Sequence, residues 1–287
     1  MKRQLKENII FIMVAHAVFL AEPTLVHAEG ENYHPINFTQ PLNIARGQII
    51  PAGDQAIYLN DNETCDLFVK NNGWTRDECA GIDKAIFFLT PRIDNVIFEK
   101  PNLDGYVKMD DWESGNRDED IQNLTDSFKE GLKAQSQKLN QKIEFSKWLL
   151  YPHLDKSKNV LYYAILVDWG GKPVVNIKAS IFDRYGRRTI TAVPSDAVSS
   201  EQEVKAVVDD FVSSYKPTVG NSYAEFTSGD KVAAYGAMSV LAGLMGVKYG
   251  KAATAGIIAV ALAFLKKLGF LLLLPFIWLG RLFKRTK

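Results

Sequence analysis

Few residues in this 287-residue chain are equipped for catalysis at neutral pH, and they are scattered. A serine or cysteine nucleophile wants a histidine base oriented by a carboxylate, and past residue 28 only His34 and His153 are present. His153 stands in a Tyr151-Pro152-His153 stretch that reads as a turn, with Asp155 nearby, and no nucleophile elbow accompanies it. The densest acidic cluster is Asp110, Asp111, Glu113, Asp118, Glu119 and Asp120, which offers hard oxygens of the kind calcium takes. Gly115 comes too early for an EF-hand loop and the alternating acids are missing. The cluster therefore reads as a solvated loop whose last acids favour the N-terminus of a following helix. Acids around Asp110 and Asp111 are also the residues a carboxylate-driven hydrolase would use.

Cys65 and Cys79 are the two cysteines. If exported, they form a disulfide candidate that closes a loop of about 15 residues, worth roughly 3 kcal/mol in the chain-entropy model. Two sulfurs without a nearby histidine are too few for zinc. No phosphate-cradling glycine loop or dinucleotide fingerprint is present, so neither cofactor nor metal is expected. Trp112, Trp148, Trp169, Tyr162 and Tyr163 read as core residues of a β-rich domain, with a ligand groove as the alternative.

The ends of the chain indicate where such residues would work. Lys2, Arg3 and Lys6, the apolar run Ile9 to Leu20 and Val26-His27-Ala28 have the order of a secretory signal cleaved after Ala28. As a helix, Ile9 to Leu20 spans only about 18 Å, short of a roughly 30 Å hydrocarbon core. At the other end, residues 231–287 hold nine Lys or Arg and no acid. With +1 overall and +1 on residues 1–28, the middle carries −9. An acidic body argues against a nucleic-acid partner. The basic, apolar tail points to a lipid bilayer with anionic headgroups.

That tail has three apolar runs, Val232 to Val247, Ala252 to Leu265 and Leu268 to Leu279, entered through a hinge at Gly229-Asp230-Lys231. As helices, Val232 to Lys248 reaches about 26 Å and the other two runs about 21 and 18 Å, so the number of crossings stays open. The positive-inside rule puts the end beyond Arg281 in the cytoplasm. The expected organisation is a signal peptide (1–28), a flexible leader (29–41), an exported domain (42–228) and a helical membrane anchor (229–287).

Within the body, Leu42 to Ile44, Gln48 to Ile50, Ala56 to Leu59, Ala85 to Leu89 and Val96 to Phe98 read as short strands, with a new element beginning at Gly105-Tyr106-Val107. These suggest an antiparallel layer. A short helix is expected over Asn62 to Asn72. A longer one over Asp118 to Gln141 follows from Ile121, Leu124, Phe128, Leu132 and Leu139 at three- and four-residue steps. Ile143 to Tyr151, Val160 to Trp169, Val174 to Phe182 and Arg187 to Val193 read as consecutive antiparallel strands, with glycine-bearing hairpin turns after the second and third. Ser199-Ser200 with Gln202-Glu203 offers a capping box for a last helix to about Ser214, which should pack on that meander. The class is α+β, an antiparallel sheet with packed helices plus the membrane-embedded helical tail.

Several strings resemble one known family. They are Gly105-Tyr106-Val107-Lys108 with Asp110-Asp111, Trp148 with Pro152 and Asp155, Leu161-Tyr162-Tyr163-Ala164, Asn176, Asp183-Arg184-Tyr185-Gly186, Tyr223-Ala224-Glu225-Phe226, and Gly229-Asp230-Lys231-Val232-Ala233-Ala234-Tyr235-Gly236. Their order is similar to that of a family of bacterial membrane-anchored proteins of unknown function, domain of unknown function 2167. The chain departs from that pattern at Val175-Asn176-Ile177, at Phe182-Asp183-Arg184 and around the cysteines, as a diverged member would. The resemblance implies an inner-membrane protein with an exported body, and it carries no activity to transfer. The leading expectation is a non-catalytic cell-envelope protein acting through an envelope protein partner or self-association. The alternatives are the hydrolase around Asp110 and Asp111 and an oligomeric assembly formed by the tail.

Overall fold

The apolar runs between residues 143 and 194 set the architecture, because most of their side chains are buried whichever way they point. A computed structural model of the chain describes residues 33–247 and Tyr249, except Gly73, Asp196 and Ala197. In chain order the elements are β1 (Ile36–Asn37), β2 (Leu42–Ile44), β3 (Gly47–Ile49), β4 (Ile57–Tyr58), α1 (Asp61–Asn72), α2 (Arg76–Cys79), β5 (Ile82–Phe87), β6 (Ile93–Glu99) and β7 (Tyr106–Lys108). Then follow α3 (Arg117–Leu139), β8 (Ile143–Asp155), β9 (Val160–Trp169), β10 (Lys172–Asp183), β11 (Gly186–Pro194), α4 (Glu201–Ser214), β12 (Tyr215–Pro217), β13 (Val232–Gly236) and α5 (Ala237–Leu244). The fold is α+β, as expected.

Eight strands form one antiparallel sheet in the order β1-β4-β5-β6-β11-β10-β9-β8. In β9, Val160, Tyr162 and Ala164 enter one core while Leu161, Tyr163, Ile165 and Val167 enter the other. A strand covered on both faces reads as an unbroken apolar run, and Val160 to Val167 is such a run. The first face is covered by α4, through Val204, Val207, Val208 and Phe211, and by the small sheet β12-β3-β2 through Ile49 and Tyr215. The capping box opens α4 as the sequence suggests, with Ser200 Oγ accepting from Glu203 N and the Glu203 carboxylate accepting from Ser200 N.

On the second face, α3 contributes Ile121 and Leu124, and α5 contributes Met238, Val240, Leu241 and Leu244. Farther along this face α1, followed by α2, adds Phe68 to a smaller cluster with Ala85 of β5 and Ile97 of β6. A Cys65–Cys79 disulfide joins these two helices.

Four expectations change. His153 lies within the edge strand β8, where its ring meets Tyr162 edge-on at 5.3 Å between centroids. Pro152 beside it is buried, at a register shift between Leu150 and His153, and edge strands and bulges are where a sheet tolerates a residue without an N–H. Next, β7 joins no antiparallel layer and instead pairs in parallel with β13. Third, strand pairing begins before Leu42, since Ile36–Asn37 pairs with Ile57–Tyr58 and Phe38 is buried.

The largest change is in the first tail run. Val232 to Val247 forms β13 and then the short, buried α5, rather than a membrane-length helix. Among the described residues no helix is long and apolar enough to cross a membrane. Hydropathy alone does not separate a core helix from a lipid-facing one, and this run sits beneath α3 and β9. The runs Ala252 to Leu265 and Leu268 to Leu279 lie outside the described residues.

Phe211 is fully buried where α4 meets the sheet, while Val219 is 97% exposed. Phe211→Ala should cost about 3–5 kcal/mol in denaturant unfolding of the full chain. Val219→Ala should stay within about 0.5 kcal/mol.

Candidate functional site

The turn Asp183-Arg184-Tyr185-Gly186 joins β10 to β11, and three segments distant in sequence converge on it. Asp183 Oδ1 accepts from Tyr185 N at 2.8 Å, which closes the turn, and from Arg46 Nη2 at 3.2 Å. Arg46 occupies the tight β2–β3 turn at φ 60°. Its Nε and Nη2 donate to Asn221 Oδ1 at 3.2 and 3.0 Å, and its carbonyl accepts from Thr218 N. The small sheet and the segment after β12 are thereby fastened to the end of the large sheet.

The third segment is Thr227 to Lys231. Arg184 grips Asp230 in a fork, Nε to Oδ2 at 2.7 Å and Nη2 to Oδ1 at 2.9 Å, and Thr227 N donates to Oδ2 at 2.7 Å. Those donors, the guanidinium first, hold the Asp230 carboxyl down at about 2. Asp183 shifts the other way, because burial raises it despite Arg46 and the turn N–H groups. Gly229-Asp230-Lys231, expected as a hinge to the anchor, is thus tied into the body.

Two glycines let these backbones meet. Gly105 has φ 118°, and a Cβ there would lie 2.7 Å from the Lys231 carbonyl. At Gly186 a Cβ would fall 1.9 Å from the Asn102 carbonyl, inside the Arg187–Asn102 hydrogen-bond exchange. Gly105 N donates to Tyr185 O, and Tyr106 N donates to Lys231 O. The Tyr106 ring stacks on Tyr223 and Phe226 at 4.3 and 4.0 Å, and Tyr223 OH donates to Val107 O at 2.8 Å.

Between these segments lies an open cleft of about 380 Å³ lined by Arg46, Leu103, Gly105, Tyr185, Asn221 and Lys231. The guanidinium carbons of Arg46 and Arg184 lie 4.8 and 5.0 Å from the centroid of the Tyr185 ring. Arg46 Nη1 is shielded from water and has no hydrogen-bond partner among the described residues. The lining carries two cations and no carboxylate, so its chemistry suits an anion.

A model of a protein family of unknown function, DUF2167, matches residues 42–277. The chain belongs to the DUF2167 family. No curated protein matches it. Among solved structures it is similar to the solution structure of cyanobacterial PsbP (CyanoP) from Synechocystis sp. PCC 6803, at 15% identity. That similarity covers 61% of this chain and 95% of the other, with a TM-score of 0.28.

In this DUF2167 protein the strings singled out in the sequence divide among the cleft, the start of α5 and the sheet. Gly105, Tyr106, Arg184, Gly186, Asp230 and Lys231 meet at the cleft. Val107 is buried in the adjoining core, Gly229 is exposed, and Tyr235 OH donates to Asp104 Oδ2 at 2.9 Å close by. Asp111 accepts from Ala237 N and Met238 N at 2.8 and 3.1 Å, so it caps α5 directly after Gly236, while Asp110 stays exposed. Trp148 and Asn176 sit elsewhere: Trp148 packs edge-on to Tyr163, and Asn176 is in β10 with its buried Oδ1 lacking a hydrogen-bond partner among the described residues.

Sequence reasoning missed Arg46, Leu103 and Asn221. Only the Arg46-Gly47 pair between two short strands hinted at a turn, and nothing local linked it to residue 183.

Asp230 titrates in the folded protein at about 2, below the ~3.9 of an unfolded aspartate. Its contribution is fully present above about pH 4 and is lost as pH falls through about 2. Asp230→Asn should therefore lower the thermal midpoint at pH 7, with the gap to the parent protein closing toward pH 2. A gap independent of pH would show that the charge plays no part. Gly186→Ala should lower the midpoint at every pH, because the obstructing atom is backbone.

Proposed function

We propose that this DUF2167 protein is a non-catalytic, membrane-anchored cell-envelope protein of bacteria. Its body is exported and acts through protein or envelope contacts made at the cleft end. The observation that carries the reading is the Cys65–Cys79 disulfide inside the folded body, a bond that persists in oxidising compartments and is rare in the cytosol. The signal-like start, the −9 charge of residues 29–230 and the acid-free tail support the same arrangement.

What argues against the hydrolase is the use already made of Asp111 and Asp155. Both carboxylate oxygens of Asp111 are engaged by backbone N–H groups at the start of α5. Asp155 Oδ1, near His153, accepts from Ser157 N, Ser157 Oγ and Lys158 N. A tail-built assembly would involve residues outside those described.

In cells, Cys65 and Cys79 should resist alkylation until a reductant is added. Protease added to spheroplasts should digest the body and spare a tag placed after Lys287. A photocrosslinker at Leu103, beside the cleft, should trap a discrete adduct that one at the exposed Tyr151 does not. Free thiols together with a protected body would refute export, and equal adducts at both positions would refute a contact surface at the cleft.

A further inference from the structure

The cleft also carries an inference about what it binds, which rests on the reading of that end as the contact surface. Lys231 supplies its charge, beside Arg46, whose Nη2 is already paired with Asp183. Lys231 is exposed and its side chain has no partner among the described residues, while Arg46 Nη1 lacks one although it is shielded from water. An unpaired guanidinium nitrogen away from water is costly unless an acceptor reaches it, and phosphate and carboxylate oxygens are its best acceptors.

The second observation is apolar. Of the eight large hydrophobic side chains exposed among the described residues, two line this cleft, Leu103 (58%) and Tyr185 (36%). Single exposed apolar side chains need no explanation, but Leu103 and Tyr185 side by side in the lining of a cationic cleft do. Leu103 sits in a connecting loop directly after Asn102, whose N–H donates to Arg187 O. Apolar tips around cations match a ligand that is an anion at one end and greasy at the other.

We infer that the cleft binds an amphiphilic phosphate, the headgroup of an anionic phospholipid, with the phosphate between Lys231 and Arg46 and the first acyl carbons against Leu103. Tyr185 lies beside Arg46, its ring centroid 4.8 Å from the guanidinium carbon, and Nη1 must become accessible for a phosphate oxygen to reach it. Arg46 is not a clean target for removal, since it also holds Asp183 and Asn221. Lys231 and Leu103 are clean ones.

The test uses the full chain in a neutral detergent, titrated with dihexanoyl phosphatidylglycerol, dihexanoyl phosphatidylcholine or inorganic phosphate, and read as the shift in thermal midpoint. Dihexanoyl phosphatidylglycerol should raise the midpoint saturably. Lys231→Glu should weaken its apparent affinity at least about tenfold, the worth of one charge-assisted contact, and Leu103→Asp should weaken it too. Both variants should keep the unliganded midpoint of the parent chain. Inorganic phosphate should compete for the same site at lower affinity, and phosphatidylcholine should bind more weakly than phosphatidylglycerol.

A saturable response that Lys231→Glu and Leu103→Asp leave unchanged would overturn the inference, as would no response at all. Inorganic phosphate binding as tightly as the lipid would overturn the apolar half, and phosphatidylcholine matching phosphatidylglycerol would overturn the anionic half. Because the titration is done outside the cell, its failure is distinct from a failure of the export and contact experiments.

Discussion

A guanidinium buried from water needs acceptors, and the placement of Arg188 in β11 imposes that demand on the middle of the fold, met at Nη1 and Nη2 while Nε has no partner among the described residues. Its side chain is 1% exposed. Nη1 donates to Asp83 Oδ2 at 2.7 Å and to Glu99 O at 2.6 Å, and Nη2 donates to Ala45 O. Asp83 in turn accepts from Ala45 N. One cation thus ties β5 and the end of β6 to the turn between β2 and β3. That turn carries Arg46, so the cation in the cleft is positioned by the cation behind it. Replacing Arg188 with an apolar residue would strand Asp83 and two carbonyls, and the loss would pass to the cleft.

The C-terminal part of the body is held by the same kind of logic. Asp111 sits at the start of α5, where a carboxylate satisfies N–H groups the helix cannot and meets the positive end of its dipole. At the other end, Tyr163 OH donates to Leu244 O at 3.0 Å, and burial raises the Tyr163 hydroxyl well above its ordinary value, so it stays a donor. Beyond α5, Tyr249 OH donates to Asp120 Oδ2, and burial together with that carboxylate pushes Tyr249 up to about 12. The acids of the cluster between residues 110 and 120 are therefore divided in use. Asp111 and Asp120 receive the C-terminal segment, and Glu113 pairs with Lys156 at 2.8 Å.

The tie between Arg184 and Asp230 joins these two halves. It links the β10–β11 turn to the residues just before β13, and β13 leads directly into α5. The tie therefore connects the cleft to the start of the last described elements. The aromatic stack of Tyr106, Tyr223 and Phe226 lies on the same route, and desolvation keeps the Tyr223 hydroxyl protonated as a donor to Val107 O.

By itself the sequence determined much of what depends on neighbours a few residues apart. The four long strands were legible from their apolar runs, α3 from its three- and four-residue spacing, and α4 from Ser200 and Glu203, because periodicity and capping are local physics. It also flagged Gly105, Gly186 and Asp230 as strings worth notice, without showing that they touch. Only the tertiary structure decided the rest. A buried apolar run looks the same whether protein or lipid covers it, so the fate of Val232 to Val247 depended on α3 and β9 being there to receive it. Pro152 and His153 resembled a turn until a bulged edge strand accommodated a proline. The cleft was the least legible part, since Arg46, Asn221 and Lys231 lie far apart in the chain. Nothing local to any of them encodes the hydrogen bonds that bring them to one place.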